Sequence, residues 1–269
     1  MRVRWLGWAG VELESDGQRL VIDPLEDPVA TFAPLGYDEQ RMELPELAPA
    51  AAGGALAGLV THLHRDHADA GALAAALAPG APVFEPPPPP SGGEPAENLA
   101  LAQASAELDA AAVARTPLAP WQSRALGPFA ITALPAVDGL GDPQVAWLVE
   151  SHGRRVLHLG DTIFHSYWWR MARRHGPFDL VLAPINGAVV SFPHLQPPSP
   201  FAAAMEPEQA VAAAAALGAA MVAPIHYGGF HAEGLYAPVT EARERFLRAC
   251  ASQPFEACVL RVAEPIELE

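Results

Sequence analysis

A chain of 269 residues, 51% hydrophobic and with a mean hydropathy only slightly above zero, can bury a large core, and no apolar run approaches the ~20 residues that a bilayer-spanning helix needs. Its formal net charge of -15, from 31 acids against 16 bases, is the wrong sign for gripping a nucleic-acid backbone. Every base is an arginine, so Schiff-base chemistry, a lysine nucleophile and a P-loop are all excluded. Two cysteines, Cys250 and Cys258, are too few for a disulfide framework and read as free thiols. The opening residues lack the long apolar stretch and cleavage site of a secretory signal, which predicts a cytoplasmic protein. A single compact domain over residues 1–269 is expected, and a homo-oligomer is left open.

In chain order, residues 2–6, 10–14 and 19–22 read as short strands, the last two separated by Ser15-Asp16-Gly17, and Asp23-Pro24 stops the pattern. Residues 24–49 are irregular, a surface excursion or part of a lid. A buried strand over 56–61 runs into an alanine-rich helix over 68–78. A short strand at 83–85 precedes the proline run Pro86–Pro90, which reads as stiff polyproline II. A helix over 97–115 follows, then strands at 121–124, 129–134, 144–150 and 154–159. The second half alternates a helix at 165–175, a strand at 179–183, a helix at 207–217, a strand at 220–224, a helix at 239–250 and a strand at 257–262. Such alternation predicts a layered α/β architecture.

The chemistry concentrates in His62-Leu63-His64-Arg65-Asp66-His67, at the strand-to-helix junction. Four groups able to bind metal fall within six positions. In an extended segment His62 and His64 point to one side, and the turn into the helix swings Asp66 and His67 toward a second ion. One histidine alone would more often be structural; this spacing suits two adjacent metals.

Thr61-His-Leu-His-Arg-Asp-His67 resembles the signature of the metallo-β-lactamase superfamily, and further motifs follow in the order that family shows. Trp5-Leu-Gly-Trp-Ala-Gly10, with Leu20-Val-Ile-Asp-Pro24 after it, is similar to the N-terminal strands of the branch holding the ascorbate-6-phosphate lactonases and N-acylphosphatidylethanolamine phospholipase D. Leu157-His-Leu-Gly-Asp-Thr162 is similar to the motif whose aspartate bridges both metals, and Ala223-Pro-Ile-His-Tyr227 to the motif of the last ligand. The resemblance implies an α/β four-layer αβ/βα sandwich, with Asp161 as the bridge and His226 on the second metal. It departs at one ligand: most members place a histidine on the segment matching Leu134-Pro-Ala-Val-Asp138, and none lies between His67 and His152. Asp138 takes that place here, giving His62, His64 and Asp138 to one metal and Asp66, His67 and His226 to the other; the alternative is that Asp138 only opens a turn.

The resemblance implies a metal-dependent hydrolase acting on a small-molecule substrate with an ester-like bond, a lactone or a phosphodiester. Two divalent ions would activate a hydroxide, so no protein nucleophile is required. The family makes zinc the first expectation, while three carboxylates in the ligand set tilt toward manganese or iron. Asp66 or His231, in the loop after His226, is the candidate proton donor. His165, His194 and Asn186 are weaker candidates, His158 is expected behind the ligands, and His152 and His175 at the periphery. Trp168 or Trp169 is expected to line a pocket, and the placement of Arg170, Arg173 and Arg174 is open. A di-iron redox enzyme of the same fold and a metal-binding protein without catalysis are the alternatives.

Overall fold

The period-2 pattern at the N-terminus becomes three antiparallel strands, β1 (Arg2–Gly7), β2 (Gly10–Ser15) and β3 (Gln18–Ile22), in a computed structural model that describes residues 1–33, 44–88, 99–193 and 195–269. From β3 the chain passes through α1 (Pro28–Phe32) to β4 (Ala55–Leu59), α2 (Ala70–Ala76), β5 (Pro82–Glu85), α3 (Leu99–Ala110) and β6 (Ala114–Pro117). The second half runs β7 (Ser123–Leu126), β8 (Phe129–Pro135), β9 (Val145–Ser151), β10 (Arg154–His158), α4 (Trp168–His175), β11 (Phe178–Pro184), β12 (Val189–Val190), α5 (Pro207–Leu217), β13 (Ala219–Ile225), β14 (Tyr236–Ala237), α6 (Ala242–Cys250), β15 (Glu256–Ala257) and β16 (Pro265–Glu267).

These strands make two seven-stranded sheets, ordered β16-β1-β2-β3-β4-β5-β6 and β15-β13-β11-β10-β9-β8-β7, and a two-stranded ribbon of β12 and β14. Side-chain alternation assigns the layers. In β9, Val145, Trp147 and Val149 enter the core between the sheets, while Ala146 and Leu148 face the layer of α4, α5 and α6. In β3, Leu20 and Ile22 point to the same central core and Val21 to the layer of α2 and α3. The chain is therefore an αβ/βα sandwich, and strands buried on both faces explain the near-continuous apolar runs at 129–134 and 179–183. No helix among the described residues is long and apolar enough to cross a membrane.

Several sequence expectations shift. The helix expected over 97–115 ends at Ala110, and 114–117 pairs in parallel with β5 as an edge strand, where Arg115 donates to Glu85 and Asp109. Of the expected strand over 257–262 only Ala257 is in a strand, as the second of the two residues of β15. The chain then leaves the second sheet, buries Leu260 between the layers, and returns at β16 to pair with β1. Within the irregular 24–49 segment, α1 is capped by Asp27, whose side chain accepts from the Ala30 amide. Pro89 and Pro90 of the proline run lie outside the described residues, and Pro86–Pro88 carry no regular structure.

Candidate metal centre

The functional residues collect where strands of both sheets end. β4 stops at Leu59, and residues 61–67 form bends and a turn rather than extended chain. In the second sheet β10, β11 and β13 lie side by side in parallel. Asp161 follows the first, Asn186 the second and His226 the third, so all three emerge at one edge, while Asp138 enters from the loop after β8. Among the described residues, the donor atoms of His62, His64, Asp138 and Asp161 lie within 4.8 Å of one another, and those of Asp66, His67 and His226 form a second such group. Each group draws on both sheets.

His62 Nε2 and His64 Nδ1 are 2.8 Å apart, so two ring nitrogens converge on one point. The other nitrogens of three rings are engaged by neighbours. His62 Nδ1 is 3.1 Å from Thr61 Oγ1, His64 Nε2 is 2.8 Å from Asp142 Oδ2, and His67 Nδ1 is 2.8 Å from Asp23 Oδ2. Such contacts fix ring orientation and turn the other nitrogen inward, where a metal ion can displace its proton. His67 Nε2 and Asp138 Oδ1 are buried without a hydrogen-bond partner, although the second Asp138 oxygen accepts from the Leu140 and Asp142 amides. Orphaned buried polar atoms are costly, and here each of the two donor groups contains one. Asp161 Oδ1 accepts from Gln144 Nε2 at 2.9 Å, and Asp66 Oδ2 accepts from the Trp8 indole at 2.8 Å.

Local backbone chemistry holds this arrangement. Trp8, Asp23 and His226 all sit at positive φ, 47°, 43° and 52°, an uncommon region for residues with a Cβ and one that costs ~1–3 kcal/mol each. His226 is tied there by its amide, which donates to the Trp8 carbonyl at 2.9 Å. Gly160 (φ 67°) lets the chain turn before Asp161; a Cβ there would come within 2.5 Å of Gln144 Nε2.

Electrostatics follows from so many carboxylates in a buried space. Burial disfavours the charged His64 ring, yet the Asp142 contact and the Asp138, Asp161 and Asp66 carboxylates raise it to about 10. Burial likewise opposes a charged His67, but Asp66 and Asp23 raise it to about 9. Burial, with Asp161 and Asp142 adding repulsion, pushes Asp138 up to about 6 against the attraction of His64. The protein's own charges thus call for positive charge at this point.

Sequence comparison agrees with this geometry. A family model described as beta-lactamase superfamily domain matches residues 18–227. The chain belongs to the beta-lactamase superfamily. A curated relative, an uncharacterized protein of Mycobacterium tuberculosis, is 28% identical over 247 residues, which is 86% of this chain and 59% of that protein, so the chain spans less than two thirds of that relative's length. Among solved structures, a metallo hydrolase from Ignicoccus hospitalis is 18% identical and superposes with a TM-score of 0.65 over 100% of this chain and 99% of its own. The diiron β-hydroxylase CmlA of Streptomyces venezuelae is 16% identical, with a TM-score of 0.69 over 99% of this chain and 54% of its own. At these identities the likeness is one of fold.

The remaining expected residues of this superfamily member separate into inner and outer sets. His158 is buried behind the centre, its Nε2 donating to the Ala9 carbonyl. Asn186 is buried and bonded to Tyr236. His231 is exposed, and no hydrogen bond joins its side chain to another described residue. His165 stacks on Trp168 with ring centres 3.7 Å apart. His152 meets Asp16 at the surface, His175 stacks on Trp121, and His194 lies outside the described residues. Trp168 is fully buried under the helices, so it lines no pocket, whereas Trp169 is half exposed. Arg170 and Arg174 lie over the Trp121 ring. Asp23, Trp8, Asp142, Gln144 and Tyr236 are the residues that sequence reading missed. Trp8 and Asp23 carry a signal, since they lie in the motifs Trp5-Leu-Gly-Trp-Ala-Gly10 and Leu20-Val-Ile-Asp-Pro24, but those motifs point to strands and not to the partners of Asp66 and His67.

Proposed function

We propose that this chain is a metal-dependent hydrolase that binds two divalent ions and cleaves an ester-like bond, a lactone or a phosphodiester, in a small-molecule substrate. The observation that carries the reading is the pair of converging donor groups, in which His67 Nε2 and Asp138 Oδ1 are buried without a hydrogen-bond partner. The donor set fits such ions: His62, His64 and Asp138 would hold one, Asp66, His67 and His226 the other, and Asp161 would be shared. Bound there, the ions supply Lewis acidity and bring the pKa of a water toward neutrality. The residues around them do the rest. Asp23, Asp142 and Thr61 keep the rings aimed, Gln144 and Trp8 steady Asp161 and Asp66, and the Trp8 and Phe32 rings, edge to face at 5.6 Å, keep water from one side. Asp66 and His231 are the groups assigned to hand a proton to the leaving group.

Zinc is the first expectation for the ions, with manganese or iron favoured by the three carboxylates. The test is elemental analysis of protein purified without added metal, with hydrolysis of bis(p-nitrophenyl) phosphate and of a lactone panel. About two metal equivalents with turnover support the reading; less than about half an equivalent after reconstitution overturns it. A second reading, iron-dependent redox chemistry, is favoured by the fold likeness to a diiron hydroxylase together with the carboxylate at position 138. Tightly held iron with visible absorbance and no hydrolysis would select it.

A further inference from the structure

One polar pair at the centre is used by no step above. Asn186 follows β11, whose neighbours in the sheet lead to Asp161 on one side and His226 on the other. Its side chain is 2% exposed, its Nδ2 donates to the Tyr236 hydroxyl, and its Oδ1 is buried with no partner. The backbone fixes both members. Val239 N donates to the Asn186 carbonyl, Ser191 N to the Leu235 carbonyl, and β12 pairs Val190 with Tyr236, so the ribbon closes the segment carrying the phenol onto the strand end carrying the amide. The Tyr236 ring packs 5.1 Å from Phe230, which stacks on Phe32 beside Trp8, and the Trp8 ring lies 4.2 Å from His226. Tyr236 is near enough to feel Asp66 of one donor group and Asp161 of the other; burial and these two carboxylates hold the phenol well above its ordinary value. It therefore keeps its proton.

A phenol oxygen that accepts from an amide still has its own hydrogen to give, and no described residue accepts it. We infer that Tyr236, seated by Asn186, is the hydrogen-bond donor to an anionic oxygen of the substrate bound between the two donor groups. The inference rests on the two-metal hydrolase reading and adds to it the group that stabilises charge developing on the attacked centre. Nothing covalent is asked of the tyrosine; its proton stays on the phenol, and the bond strengthens as the oxygen gains charge. Asn186 acts through Tyr236 and is a positioning residue.

Inorganic phosphate, titrated calorimetrically into metal-loaded protein, probes the seat without knowledge of the substrate. Tyr236→Phe keeps the ring packing and should weaken phosphate about 10-fold or more with metal content unchanged. Asn186→Ala should weaken it less, and the double variant should match Tyr236→Phe, because the amide works only through the phenol. Equal phosphate affinity in metal-loaded wild type and Tyr236→Phe would overturn the inference and leave the metal centre standing. So would a wild type that takes up two ions and binds no phosphate. Failure of the wild type to take up metal overturns the hydrolase reading, and this inference with it. Independent, additive losses in the double variant would remove Asn186 from the role.

Discussion

Replacing Asp23 with alanine should cost this protein both stability and metal affinity, although Asp23 belongs to neither donor group. Its carboxylate is fully buried and accepts from the Thr61 amide at 2.8 Å, the Thr61 hydroxyl at 2.6 Å and His67 Nδ1 at 2.8 Å. Each bond to a charged acceptor contributes ~1.5–3 kcal/mol, and removing one partner of a buried pair generally costs ~3–5 kcal/mol because the donors left behind are dry. Local relaxation makes three full bonds an overestimate, so the expected loss is ~3–5 kcal/mol, or roughly 10 °C in the thermal midpoint of a chain this long. Asp23→Asn separates the two effects: it preserves shape and one acceptor for the Thr61 amide but cannot accept from the ring as a carboxylate does. That variant should lose less stability and still bind metal ~10–100-fold more weakly, since the contact that orients a ligating ring has gone. Chemical denaturation of the metal-free proteins, with competitive metal titration against a chromogenic chelator, measures both. Stability within about 1 kcal/mol of wild type for the alanine variant, with metal affinity unchanged in both, would refute the assignment of Asp23 as the residue that aims His67.

Asp161→Ala should abolish binding of both ions and all hydrolysis, whereas Asp138→Ala should weaken chiefly one; two tightly held ions by elemental analysis of the latter would remove Asp138 from the ligand set. Since the surrounding carboxylates hold His64 at about 10 and His67 at about 9, both rings carry protons in the metal-free protein near neutrality. Metal uptake near pH 7 should then release about two protons, and affinity should fall as the pH is lowered. Binding enthalpies that do not differ between buffers of unlike ionisation enthalpy would contradict this. Gly160→Ala puts a Cβ 2.5 Å from Gln144 Nε2 at a φ of 67° and should cost ~1–3 kcal/mol in denaturant unfolding, with activity falling too. His231→Ala should lower kcat on poor leaving groups more than on p-nitrophenolate; an equal effect on both would end its candidacy as proton donor.

The sandwich was legible because its strands are buried on one face or two, and that burial writes itself into the sequence as alternation at 10–14 or as apolar runs at 179–183. Elements of two or three residues, such as β12, β14 and β16, are too short to show a period and exist through tertiary pairing. The helix overextended to 115 shows the same limit, since alanine continues past Ala110 while the parallel register with β5 decides where strand begins. At the site, ligand residues were legible where they cluster, as in 62–67. Asp138 was found as a gap in a pattern, and the structure sets it among His62, His64 and Asp161. Asp142, Gln144 and Tyr236 stood alone in sequence, each an ordinary polar residue until folding brought it against a ligand or a neighbour's amide. The excursion over 24–49 hid Phe32 for the same reason, although it ends up in the aromatic cluster beside Trp8.

Because each donor group draws on both sheets, neither half of the chain owns a complete binding site. The ions would act as rivets between two leaves, driven home only once the leaves are pressed together. An opening that slides the leaves apart while each keeps its hydrogen-bonded ladder would already expel the ions, so metal release should precede loss of strand structure during unfolding. In the forward direction the last event of maturation is loading, and a newly made chain starved of metal would be sandwich-shaped but unlatched, with five carboxylates, the buried Asp23 and Asp138 and the partly buried Asp66, Asp142 and Asp161, crowded at the seam and pushing it open.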